Sequence, residues 1–376
     1  MSNTFLTPEM IARDAAIQLS DRLIVGNAVS RNHEGMFTAA KIGDYTNVSI
    51  PPAVTDASEF TTSTSASDQT ETSIDLKLEK HFYKRVDITS KEKSLQLDDF
   101  TRLVTVPCIQ GIQESIDKHF LKQMQVFRAN LTGSVASRPS TIAHVAAAYK
   151  TLNDNKVQRD GRKALIDTTV EQSFGQLSNF VNFDYGTDGG ENGRNGGLGR
   201  RYGFDFTTDA NLGAFSRSSA AGCLTGTIVT NGTPAIGAVD VPIDGITDAT
   251  GTIYAGTVFT LAGDTTRYVV RKDATIASNA TTLTVYPALV AAPGDGAALT
   301  FEAAGYSNLV YHPMAVAGAI VAPTPLNLGS SVQSFNGVSI RVSMDSSITS
   351  LSDAIVYDVF VGCRVIQPAG GALFCG

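Results

Sequence analysis

The chain has 376 residues, enough for two or three domains, and 43% of them are hydrophobic while only 17% are charged. Charge this sparse excludes a highly charged disordered chain or a nucleic-acid coat, and a net charge of −7 argues against a basic face that grips DNA. Thirty-four glycines and no tryptophan suit a β-rich structural protein.

Glu9, Arg13, Asp14, Asp21 and Arg22 interrupt any apolar targeting segment at the N-terminus. No run of about 20 apolar residues occurs, so the expectation is a protein made and kept in the cytoplasm, with no membrane span. Residues 7–24 read as a helix: Thr7 suits the N-cap, Pro8 the first helical position, and Glu9 the positive dipole end. Its apolar stripe is Ile11, Ala15, Ala16, Leu19 and Leu23. The stripe either packs on its own domain or docks on a neighbouring subunit.

Residues 43–73 are rich in Ser, Thr and Asp, and the following stretch alternates through Ile74, Leu76, Leu78, Phe82, Val86 and Ile88. Period 2 means strand. The simplest pairing is one long hairpin, with 46–60 returning through 72–89. At about 3.3 Å per residue an arm of ~15 residues reaches roughly 50 Å. A compact chain of this length has a radius of gyration of only about 21 Å. Such a ribbon projects and needs a partner surface, the obvious one being another copy of the chain.

Residues 98–129 form the strongest helix, with Pro107 able to open its longer part and a stripe of Ile109, Ile112, Ile116, Phe120, Met124 and Phe127. From 107 to 129 it spans about 35 Å, a rigid spine. Ser140 is expected to cap a helix carrying Ile142, Val145, Ala148, Tyr149 and Leu152. Residues 164–167 then read as a buried strand, and Thr168 or Thr169 as the cap of a second helix with Val170, Phe174 and Leu177. Helix, strand, helix at short spacing is an α/β pattern. A Gly-rich loop follows at 186–203. Between 222 and 305 come six short strand candidates, GTIVT, VDVPI, GTVFTLAG, TRYVVRK, TTLTVYP and ALTFEA, broken by turn signals. They suggest a closed barrel or small sandwich inserted into the α/β part. An apolar segment at 306–322 and two alternating strands at 338–346 and 353–368 close the chain.

No P-loop, HExxH or GxSxG is present, so no catalytic, cofactor or metal residue is assigned. The Gly-rich loop leads into FDFTTD, a strand pattern, and lacks the strand–turn–helix context of a phosphate cradle. His33, His81, His119, His144 and His312 form no metal-ligand spacing, and His312 is expected to pack against its neighbours. Asp98 and Asp99 are expected at a helix start. Cys108, Cys223, Cys363 and Cys375 include no CxxC pair; Cys363 and Cys375 could bond, but the plainer reading is four reduced, buried thiols. One charge cluster stands out: Lys77, Lys80, Lys84, Arg85, Lys91 and Lys93, interleaved with Asp75, Glu79, Asp87 and Glu92. Its mixed sign fits inter-subunit salt bridges better than DNA. Charges that keep an edge strand from pairing at random are the blander reading. The candidate subunit-interface residues are Lys77, Lys80, Lys84, Arg85, Glu79 and Asp87.

The order of these parts, with stretches 86–120, 255–276, 281–289, 308–319 and 335–345, resembles the major capsid proteins of tailed phages, whose fold is shared with the floor of herpesvirus shells. It is most similar to coat proteins of short-tailed phages that carry an inserted β-barrel. The resemblance implies an α+β fold with an N-terminal arm (1–42), an extended hairpin loop (43–92) and a spine helix of a peripheral domain (93–134). It further implies an axial domain in two parts (135–221 and 306–335), an inserted six-stranded antiparallel barrel (222–305) and closing peripheral strands (336–376). The implied role is structural: hexamers and pentamers of this chain forming an icosahedral shell around DNA. Scaffolding protein and portal would be assembly partners, and no cofactor would be needed. The implied location is the virion capsid. Open alternatives are a tail-tube protein, an encapsulin-like compartment shell, and an enzyme whose site is scattered beyond motif reading.

Overall fold

The computed structural model describes residues 8–40, 45–50, 72–89, 101–181, 197–326, 329–347 and 352–376. The chain is α+β and divides into two compact units. Unit 1 holds 1–23, 30–116 and 316–367; unit 2 holds 24–29, 117–315 and 368–376.

Unit 1 opens with α1 (Pro8–Arg22), which buries Ile11, Ala12, Ala15, Ala16 and Leu19. Helix α2 (Glu34–Ala40) follows. Strand β1 (Tyr45–Ile50) pairs antiparallel with β2 (Thr72–Lys77), from Tyr45↔Lys77 to Ile50↔Thr72. Strand β3 (Lys80–Thr89) belongs to a five-stranded sheet with β16 (Val316–Val321), β17 (Ser330–Phe335), β18 (Val338–Ser347) and β19 (Ser352–Val365). The apolar stripe of α1 lies on β17 and β18, so the chain's own sheet covers it. The three alanines in that stripe leave room for the helix to come close.

The single long hairpin expected from the sequence needs correction. Only 72–77 returns along the first arm. Residues 80–89 turn instead to β19, pairing from Lys80↔Val361 to Thr89↔Ser352. Both strands show the same period-2 pattern, which marks a strand without naming its partner. Residues 51–71 lie outside the described residues, as do Asp98, Asp99, Lys91, Glu92, Lys93 and 182–196 of the Gly-rich region.

The spine helix α3 (Val106–Met124) starts in unit 1 and ends in unit 2, with a π-helical turn before it (Thr101–Thr105) and a 3-10 turn after it (Gln125–Ala129). Pro107 sits in its first turn, and the expected stripe from Ile109 to Phe127 is buried throughout. Asp117, off that stripe, is fully buried too: its carboxylate accepts the backbone N–H groups of Ile24, Val25 and Gly26 at 3.2, 3.1 and 3.0 Å.

The α/β part of unit 2 contains α4 (Ile142–Asp154), β4 (Lys163–Ile166) and α5 (Thr168–Phe174). Strand β4 runs parallel to β6 (Phe204–Thr208) in a sheet ordered β20 (Gly371–Leu373), β15 (Leu309–Tyr311), β4, β6, β5 (Arg200–Arg201). Phe174, Phe180, Phe206 and Phe374 cluster in its core. Two caps differ from expectation. Thr141, not Ser140, is the N-cap of α4, while the Ser140 N–H donates to His144 Nδ1. Asp167, not a threonine, caps α5, accepting the Val170 N–H at 2.7 Å. Its carboxylate supplies a stronger, charged acceptor at the positive helix end.

The six strand candidates all become strands of one antiparallel sheet, ordered β14 (Leu299–Phe301), β10 (Val258–Leu261), β11 (Tyr268–Val270), β13 (Thr281–Tyr286), β8 (Asp240–Ile246), β7 (Gly226–Thr230). The sheet curls into a nearly closed barrel. Its ends meet where the Thr230 N–H donates to Ala297 O at 2.9 Å and a bridge joins Val229 to Ala298. A separate ribbon of β9 (Thr250–Ile253) and β12 (Ala274–Ala277) went unread in the sequence. Val241, Phe259, Tyr268, Val270 and Leu283 are fully buried inside.

Candidate assembly surface

Strand geometry divides the charge cluster. Successive side chains on β3 point to opposite faces. Arg85 and Asp87 share one face with His81 and Tyr83, and Lys80 and Lys84 take the other. Lys84 lies near enough to the Cys108 thiol to oppose, in part, the upward push that burial gives its pKa. Lys77 ends β2, and Glu79 stands in the two-residue link to β3. All six of these residues are exposed. The structure thus places them around one strand and its entry, on two surfaces instead of one patch.

Arg85 and Asp87 form an exposed ion pair at 2.8 Å. Arg85 also lines a groove of about 570 Å³ over the sheet, with Ser343, Asp345, Ala354 and Val356. Tyr83 is 68% exposed on the same strand.

Beneath this surface sits a network that the sequence did not reveal. Asp358 on β19 is buried and accepts Arg341 Nε at 2.9 Å, a second bond from Arg341 Nη2, and a bond from His81 Nε2 at 2.9 Å. The His81 ring also lies 4.6 Å from that of Phe360. One carboxylate therefore ties β3 to β19 and β18. Register makes this possible, because Asp358 pairs with Arg341 on one side and stands opposite Tyr83, two residues from His81, on the other. A buried ion pair of this kind contributes modest net stability, yet removing one partner costs about 3–5 kcal/mol.

The hairpin root is fixed by close approach. A Cβ on Gly362 would stand 2.3 Å from the Lys77 carbonyl oxygen, so only glycine lets β2 cross β19 there. Glu34 fixes another edge of the same unit. Its Oε1 accepts the Ile320 N–H at 3.1 Å with Arg31 3.9 Å away, and Arg31 Nη2 donates to Asn336 O at 2.9 Å. Burial raises the Glu34 pKa to about 7, against the pull of Arg31 and the Ile320 bond.

On the barrel, Ile236, Val239 and Val290 are exposed at 69%, 46% and 60%. Backbone bonds from Gly237 N to Leu289 O and from Leu289 N to Ala238 O bring their two loops together. Neither 231–239 nor 286–294 contains a charged residue, though the flanking Asp295 accepts the Gly232 N–H at 2.8 Å.

The remaining candidates have structural roles. His312 donates from Nε2 to Asp160 O at 3.0 Å and accepts the Met314 N–H through Nδ1. Cys108, Cys223, Cys363 and Cys375 are free and buried; Cys363 and Cys375 are not joined. Among the described residues no helix is long and apolar enough to cross a membrane, and no group of three or more His, Cys, Asp or Glu could hold a metal ion.

No protein family and no curated protein matches the chain. Solved structures do. One from Mycobacterium phage Che8 matches with 99% of this chain and 93% of that chain covered, at 14% identity and a TM-score of 0.50. The capsid structure of the cyanophage P-SCSP1u covers 88% and 83%, at 11% identity and a TM-score of 0.47. The capsid of an empty GTA particle covers 100% and 95%, at 9% identity and a TM-score of 0.47. The likeness is one of fold, and it extends over nearly the whole chain: this protein shares its fold with the structure from Mycobacterium phage Che8.

Proposed function

We propose that the chain is the major capsid subunit of a tailed phage, of the short-tailed kind with an inserted barrel, and that it is a structural protein without catalysis. It self-assembles into an icosahedral shell around the double-stranded DNA genome. The observation that carries this reading is the shared fold over 99% of the chain with the structure from Mycobacterium phage Che8. The net charge of −7 agrees with a wall that encloses DNA without gripping it.

In this reading the segments keep the roles that the resemblance implies: the β1–β2 hairpin reaches a neighbour, the spine helix and β3/β16–β19 sheet form the peripheral part, and the α/β sheet lies near the symmetry axes. Lys77, Glu79, Lys80, Lys84, Arg85 and Asp87 contribute ion pairs between copies. Each contact is modest, but it recurs around hexamers and pentamers, and repetition closes the shell. A scaffolding protein and a portal ring take part during assembly in the host cytoplasm, and the finished location is the virion.

The test is expression of the protein, with its neighbouring scaffold gene, followed by negative-stain electron microscopy of the lysate. Uniform closed particles are expected. Tubes would move the reading to a tail protein. Subunits that stay small and soluble at high concentration with scaffold present would end it.

A further inference from the structure

Four Asn–Gly pairs occur in the chain, and two of them, Asn231–Gly232 and Asn336–Gly337, lie among the described residues. An asparagine before glycine can lose its side-chain amide to its own backbone. The following peptide nitrogen, once deprotonated, attacks Cγ, and glycine has no side chain to shield that nitrogen. The rate therefore depends on how readily the peptide N–H gives up its proton. Resonance shares the negative charge of the resulting anion with the carbonyl oxygen of the same peptide group. A charged donor on that oxygen speeds the step, and an acceptor holding the N–H slows it.

The two pairs are bonded in opposite ways. Asn336 and Gly337 are the central residues of the tight turn between β17 and β18, with φ of 48° and 78° and with Phe335 paired to Val338. Both are exposed. Arg31 Nη2 donates at 2.9 Å to the Asn336 carbonyl oxygen, the atom on which the anion's charge develops. The Arg31 side chain is only 18% exposed and stands 3.9 Å from Glu34, and its charge is permanent. No acceptor among the described residues takes the Gly337 N–H. Glu34 Oε2 also lies near the turn, 3.2 Å from where a Cβ on Gly337 would stand. Burial raises its pKa to about 7, so near neutral pH about half of these carboxyls are uncharged and oppose the anion less. Asn231 is exposed as well, but there the Gly232 N–H donates to Asp295 Oδ1 at 2.8 Å. That bond holds the proton, and the carboxylate repels an anion at the nitrogen.

We propose that Asn336 is a site of spontaneous deamidation promoted by Arg31, and that Asn231 is protected from the same reaction. The Gly337 nitrogen gives its proton to solvent and bonds to Asn336 Cγ. The Cγ–Nδ2 bond breaks, ammonia leaves with a proton from solvent, and water opens the five-membered imide to aspartate or isoaspartate. The reaction needs only water, applies to a single subunit and is independent of shell formation. To test it, the full-length protein is aged at neutral pH, folded and in concentrated urea, and loss of the two amides is followed in digests by mass spectrometry. In the folded protein Asn336 is expected to react at least about tenfold faster than Asn231, the rate effect of one charged hydrogen bond. In urea, where each is simply asparagine before glycine, the two rates are expected to converge. Arg31→Gln is expected to slow Asn336 severalfold and leave Asn231 unchanged, and Asp295→Ala to speed Asn231 alone. Should a variant misfold, the comparison of folded and urea-treated wild-type protein still decides the matter. Equal rates in the folded protein, a ratio that persists in urea, or an unchanged Asn336 rate in folded Arg31→Gln overturns the proposal.

Discussion

The barrel and the five-stranded sheet are both antiparallel, yet they are built in opposite ways. Every strand of the barrel finds its partner between residues 226 and 301, and its buried core comes from that segment and the adjoining Cys223. The sheet of unit 1 joins β3 to β19, segments more than two hundred residues apart in the chain. It then depends on a few discrete fasteners: the Asp358 network, the bare Gly362 crossing and the Glu34 carboxyl. A locally closed barrel is stabilised mainly by apolar burial. A sheet assembled from distant segments needs polar and steric devices that specify which strand meets which.

The largest effects should separate the two regions. Phe259→Ala removes a fully buried ring of the barrel and is expected to cost about 3–5 kcal/mol, read as earlier hydrogen exchange across 226–301. Asp358→Ala takes the carboxylate from the part-buried Arg341, which keeps only its bond to the Thr324 carbonyl oxygen, and is expected to cost up to about 3–5 kcal/mol. Its exchange signature should be confined to 80–89 and 330–365. If either variant loosens both regions equally, the distinction between them fails.

A smaller effect concerns pH. The folded-state pKa of Glu34, about 7, is above its ordinary value of 4.5. Its contribution to unit 1 is therefore fully present below pH 4.5 and is lost as pH rises through 7. The size is at most roughly 3 kcal/mol, since each pKa unit corresponds to about 1.4. Urea melts of unit 1 at mildly acid and mildly alkaline pH should show this slope, and Glu34→Gln should remove it. Gly362→Ala comes next: the new methyl must push the Lys77 carbonyl away, at about 1–3 kcal/mol, with exchange rising in 72–77. Arg85→Gln is expected to change subunit stability by well under 1 kcal/mol, because the pair with Asp87 is more than half exposed on both sides. Any larger effect on particle yield, with a weaker dependence on salt, would place Arg85 at a contact between copies.

The same contrast explains what was legible in the sequence. The six barrel strands could be read because alternation and turn residues are local signals, and the partners were next in line. The spine helix and the stripe of α1 were legible for the same reason. The partner of β3 was not, since an alternating strand carries no mark of the distant strand that it joins. Nothing in the sequence around Asp117 or Asp358 sets either apart from a surface charge. Only the fold shows that each is buried and satisfied by groups brought from elsewhere. The charge cluster at 77–87 was visible as a list of residues, but its division over two faces of β3 required the strand register.

The most direct measurement compares hydrogen exchange in assembled particles with that in unassembled subunits. A two-stranded ribbon such as β1–β2 is marginal by itself, and β3 carries an exposed, mixed-charge surface. Protection that rises on assembly at 45–50 and 72–89, while the barrel core at 241–285 stays as it was, is the result expected of a shell subunit that joins its neighbours through this region. Unchanged exchange at 45–50 and 72–89, with new protection confined to the barrel, would contradict it.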